Sequence, residues 1–192
     1  MATAPPRQPE PGAGLMGKFL SIVLIVAALA AGGAMYYLQI YGFYDEVELQ
    51  PGQDVMLLPL GGDTPQPIAY SAFEAIDAES SPIRYRACFR TELTPEALAQ
   101  LFELSDKNEP RNAPGWFDCF DAAALGADLA AGRAQSFLSV KNISYGVDRI
   151  VAVTQDGRGY VWHELNKCGH KAYDGTVVGE ACPPRPETGG GE

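Results

Sequence analysis

Histidine and positive charge are the scarce commodities of this 192-residue chain: two histidines, and 14 lysines and arginines against 24 aspartates and glutamates, for a formal net charge of −10. So little positive charge argues against a general nucleic-acid binder, which needs a basic face for phosphates. A Ser-His-Asp triad would have to take its base from His163 or His170, and no serine sits in a Gly-x-Ser-x-Gly elbow. The chain has no P-loop and no Cys-x-x-Cys pair. Residues 156–159 read DGRG, a turn without the glycine spacing and following helix of a nucleotide loop. Asp118 and Asp121 flank Cys119 and Phe120, but an acidic chain supplies such carboxylate pairs by chance, and helix capping accounts for Asp121. No catalytic residue and no cofactor is expected from these residues.

A second absence is more informative. No charged residue occurs between positions 19 and 44, and the core of that run, FLSIVLIVAALAAGGAMYYL, is 20 residues long. A helix of that length rises about 30 Å, the thickness of the hydrocarbon layer. Lys18 closes one side; Tyr36, Tyr37, Tyr41, Phe43 and Tyr44 crowd the other, where an aromatic belt would meet the headgroups. Arg7 and Lys18 precede the run, whereas the first basic residue after it is Arg84. The positive-inside rule then places the N-terminus in the cytoplasm and everything after residue 44 outside. A cleaved signal peptide with its apolar region at 20–30 is the competing reading, but the run continues to a full span. Ala27 and Ala31, Ala28 and Gly32, and Ala30 and Ala34 are small residues four apart, a spacing that permits a membrane-protein partner or a homodimer to pack against the helix.

The remaining organisation follows from composition. Residues 1–17 are rich in proline and glycine and read as a disordered cytoplasmic tail, residues 18–44 as anchor and interface, 45–182 as a periplasmic domain, and 183–192 as a flexible tail. Within the domain, short strands are expected at 55–60, 85–89, 136–140, 149–154 and 159–165, with Asp156-Gly157 as a hairpin turn between the last two. Thr94-Pro95-Glu96 opens a helix whose Leu98, Leu101 and Phe102 form a buried stripe. A second helix runs over 121–131, ended by Gly132. The expected fold is α+β: one N-terminal transmembrane helix, then a small domain with an antiparallel sheet and about two helices on one face.

All four cysteines, Cys88, Cys119, Cys168 and Cys182, follow the apolar run. In an oxidising compartment an even number implies disulfides, and the uncrossed pairing Cys88–Cys119 with Cys168–Cys182 is favoured over the two alternatives. Metal binding would draw on His163, Cys168 and His170, at a spacing that matches no established ligand pattern, so no metal is assigned. Trp116 and Phe117, in the aromatic run APGWFDCF, are either a core plug or a partner-binding patch.

The segments YYLQIYGFYDE (36–46), IRYRACF (83–89), APGWFDCF (113–120), YGVDRIVAV (145–153) and DGRGYVWHELNKCG (156–169) resemble an uncharacterised family of single-span membrane proteins of alphaproteobacteria, a domain of unknown function whose members are sometimes labelled histidine kinases. The resemblance implies a bacterial inner-membrane protein and carries over no site residue. The kinase label would require an Asp-x-Gly-x-Gly nucleotide box and a cytoplasmic histidine; the chain lacks the first, and both its histidines lie beyond the span. The functional expectation is a membrane-anchored periplasmic binding or accessory protein, its partners the lipid bilayer and a membrane protein or a second copy. A periplasmic enzyme or metal-binding domain using His163 and His170 is the alternative, and a signalling protein the third.

Overall fold

The computed structural model describes residues 13–184. These form two units, divided between Phe43 and Tyr44. The first is helix α1 (Ala13–Tyr37) and a π-helical turn, Leu38–Gly42. The stretch Gly14–Gly42 is 29 residues long with a mean hydropathy of 2.2, long and apolar enough to cross a membrane. None of its apolar side chains is buried. Helix α1 begins at Ala13, within the segment expected as a tail; the rest of that segment lies outside the described residues, as does most of 183–192.

The second unit is built on one antiparallel sheet. Its strands are β1 (Asp45–Glu46), β4 (Ser71–Asp77), β5 (Arg86–Arg90), β6 (Ala134–Ser144), β7 (Val147–Thr154) and β8 (Arg158–Leu165), in the order β1-β4-β5-β8-β7-β6. A small ribbon, β2 (Met56–Leu57) with β3 (Gln66–Pro67), forms a second, two-stranded sheet. Because neighbours alternate in direction, Asp45 pairs with Asp77, Ile76 with Arg86, Arg86 with Trp162, Leu165 with Val147, and Val147 with Ser144. One end of the sheet therefore gathers the point where the chain arrives at β1, the β4–β5 and β6–β7 turns, and the exit from β8.

Both faces of the sheet are covered, and the period-2 alternation of the strands shows how. Ala87, Phe89, Phe137, Val151, Val153 and Val161 point to one side, against Leu57 and Ile68 of the ribbon region and Leu98 and Phe102. Cys88, Leu138, Ile150, Ala152, Tyr160 and Trp162 point to the other, against Phe117, Phe120, Ala122 and Leu125. Helix α2 (Pro95–Ala99) thus packs on the first face and α3 (Ala122–Ala130) on the second. This corrects the expectation of both helices on one face: the sheet is the middle of three layers. Gly159 is demanded by this packing, since a Cβ there would overlap the Phe89 ring.

The helix starts behave as their sequences require. Thr94 accepts a hydrogen bond from the backbone N–H of Ala97, with Pro95 in the first turn, and Asp121 accepts from Ala124. Helix α2 is shorter than the expected apolar stripe. After Leu98 the chain is drawn into extended pairing: Pro59 bridges Phe102, Leu104 bridges Phe137, and Glu103 N–H donates to Leu58 O. Leu98 and Phe102 are buried as expected, but Leu101 is exposed.

Cys88 bonds Cys119 and Cys168 bonds Cys182, with Cα–Cα distances of 6.2 and 4.9 Å. The first crosslink ties β5 to the segment covering the second face. The second closes a loop in which no residue is buried. Cys119→Ser should therefore lower the unfolding free energy by about 2–5 kcal/mol. Cys182→Ser should cost far less, because its loop can open without unfolding the sheet. Urea titrations of the two variants, followed by tryptophan fluorescence, measure the difference; equal losses would contradict the assignment.

Candidate functional site

The end of the sheet where the chain arrives holds His163, which sequence reasoning singled out, along with several polar side chains that it missed. His163, on β8, is only 5% exposed. Its Nδ1 lies 2.7 Å from Pro82 O, a carbonyl that can only accept, so Nδ1 carries the proton. Its Nε2 accepts from Arg149 Nε at 3.0 Å. The ring stacks on Tyr85, centroids 4.8 Å apart, and the Arg149 guanidinium lies over the other ring, 4.3 Å from the Tyr85 centroid. Burial, reinforced by the Arg149 charge, pulls the imidazole down to about 4, so it is neutral at ordinary pH. Both nitrogens are engaged, and the residue holds the β4–β5 turn against β8. His170 lies in the Cys168–Cys182 loop, exposed, and Cys168 is committed to its disulfide. Among the described residues, no group of three or more His, Cys, Asp or Glu side chains is placed to hold a metal ion.

On the second face the controlling residue is Arg86, 4% exposed. Its Nε donates to Arg111 O and Asn112 O at 2.9 and 3.2 Å, Nη1 to Ile83 O and Tyr85 O at 2.9 and 2.6 Å, and Nη2 to Asn112 O at 3.0 Å. The guanidinium also faces the Phe120 ring, 5.8 Å from its centroid. Burial lowers its pKa to about 10, which leaves it charged at neutral pH. Nothing in IRYRACF distinguishes a buried arginine from a solvated one. Next to this clamp Arg111 forms a two-pronged ion pair with Glu164 (3.1 and 2.6 Å), and Lys107 Nζ donates to Leu165 O at 3.0 Å. Residues 106–112 and Glu164 line an open polar groove of about 640 Å³.

A third cluster joins the β6–β7 turn to the end of β8. Buried Asp148 accepts from the Asn142 backbone N–H at 2.9 Å and from Asn166 Nδ2 at 2.7 Å, while Asn142 Oδ1 accepts from Asn166 Nδ2 at 2.9 Å. Asn142 has φ +50°, a left-handed conformation that asparagine tolerates better than most residues. Trp116 and Phe117 pack edge-on to each other with centroids 6.3 Å apart; Trp116 meets Tyr44 at 6.1 Å, and Phe117 is buried in the second core cluster. Ala27, Ala31 and Gly32 lie on α1, in the other unit.

The His163 geometry gives a pH dependence of known sign. In the unfolded chain the imidazole takes up a proton near 6.5, and in the folded one only near 4. Between those values the unfolded state binds more protons, so falling pH removes stability, roughly 3 kcal/mol from this residue over the whole window. The stability difference between the parent and His163→Gln should be constant above pH 6.5 and shrink as pH falls to 4, by denaturant titration at each pH. A difference that does not change with pH would overturn the buried-neutral assignment.

No curated protein and no solved structure matches the chain. A family match covers residues 55–183, from just before β2 through the second disulfide, and thus nearly all of the folded unit. The chain belongs to that family, DUF6446, a family of unknown function.

Proposed function

We propose that the chain is a membrane-anchored accessory protein: N-terminus in the cytoplasm, one span through the inner membrane of an alphaproteobacterium, and the folded domain held in the periplasm. There it binds a membrane-protein partner or assists assembly of a larger complex. The observation that carries this reading is the continuity of a 29-residue apolar helix with a domain crosslinked by two disulfides, only Phe43 and Tyr44 lying between Gly42 and β1. Structural disulfides belong to oxidising compartments. The excess of basic residues before the span supports that orientation. Small residues on α1 offer a close-packing surface in lipid, and the groove at 106–112 offers polar groups of both signs in water. The rival reading, an enzyme or metal centre on His163 and His170, must contend with a histidine whose two nitrogens are already bonded.

Crosslinking on spheroplasts with an amine-reactive reagent that does not cross membranes, followed by gentle detergent extraction, tests partner and orientation together. Lysines 107, 141, 167 and 171 are all beyond the span. The expected result is a defined adduct with one membrane protein. A monomer that the reagent modifies without capturing a partner would contradict the accessory role, and a monomer that it cannot reach would contradict the orientation.

A further inference from the structure

The Cys168–Cys182 loop is a crosslinked structure without a core. Lys171 bridges Val177 around the Asp174-Gly175 turn, His170 O accepts from Val178 and Gly179, and Glu180 O accepts from Gly169. Among the described residues, the hydrogen bonds of 168–182 close within the loop or on Asn166 or Lys167. Its apolar side chains face outward: Tyr173 is fully exposed, and Val177 and Val178 are more than half exposed. The disulfide therefore stiffens a surface and adds nothing to the packed interior. Preorganising an exposed tyrosine and two valines lowers the ordering cost of a contact made elsewhere.

The position of the loop indicates what it contacts. It leaves the sheet at Leu165, the end at which the chain arrives at Asp45. Ile143, Tyr145 and Leu165, also exposed, lie at this end, from which the loop carrying Tyr173, Val177 and Val178 departs. Three Cα steps separate Gly42 from Asp45, at most about 11 Å of chain. Tyrosine favours the water–hydrocarbon boundary, where its ring is apolar and its hydroxyl is hydrated. The loop segment 167–182 carries Lys167 and Lys171 against Asp174 and Glu180, with His170 neutral in formal count, so its net charge is zero and the contact does not need anionic lipid.

We infer that the Cys168–Cys182 loop is a second attachment to lipid, Tyr173, Val177 and Val178 dipping into the headgroup boundary of the bilayer that the N-terminal helix spans. This rests on the anchored reading above.

The test uses the full chain in phosphatidylcholine vesicles, with Tyr173→Trp compared with the parent and its two tryptophans. Position 173 is fully exposed, so the substitution leaves the core alone. An interfacial side chain sits about 5–10 Å into the headgroup and acyl boundary, so bromine high on the acyl chains should remove roughly half of the added indole emission, with a blue shift and no dependence on salt. Added emission that stays at the water-exposed wavelength and is not quenched overturns the proposal. So does quenching that needs anionic lipid or disappears in high salt. An alkaline carbonate wash separates the two readings: retention with an unquenched indole removes the loop contact alone, whereas a chain that washes off removes the anchor and the loop together.

Discussion

A buried arginine without a carboxylate partner holds the second face of the sheet together. Among the described residues, no ion pair involves Arg86; its charge is solvated in place by the carbonyls of Ile83, Tyr85, Arg111 and Asn112. Taking such a charge out of water is costly, and it is tolerated only where its donors find fixed acceptors. The dependence is mutual, because those carbonyls belong to irregular chain with no ladder to satisfy them. Two residues further along β5, on the same face, Cys88 holds Cys119. Arginine and disulfide together fasten residues 106–120, a cover with little regular structure, over Trp162, Ile150 and Tyr160.

With that cover in place, the sheet is buried on both sides, and neither face is available as a binding surface. What remains open are its edges and ends. At one end the β4–β5 turn is held by His163 and Arg149, the β6–β7 turn by Asp148 and Asn166, and the cover by Arg111 and Glu164. Each hub fixes a connection of the chain. The same end receives the chain at Asp45 and sends out the crosslinked loop after Leu165.

Much of this was legible in the residues, and the exceptions have physical reasons. The apolar run, the caps at Thr94 and Asp121, the turn at Asp156-Gly157 and both disulfides depend on local chemistry or on compartment, and the structure has them. Strand β4 was not anticipated: SAFEAID alternates imperfectly, and a register shift between Ser71 and Glu74, with Ala72 at φ +50°, explains why. The helix after Thr94 stops early because backbone pairing with Leu58 and Phe137 outweighs local helix propensity. Arg86, Arg111 and Glu164 were invisible as a site because burial and pairing over 25 to 53 positions leave no trace in local pattern.

The central claim is that Arg86 fastens the cover, and amide hydrogen exchange on the full chain tests it most directly. In Arg86→Met with both disulfides intact, protection should fall across residues 106–121 and the β4–β5 turn while β6, β7 and β8 keep the exchange rates of the parent. An exchange pattern unchanged in 106–121, or a uniform loss across all strands, would contradict a clamp acting on that layer.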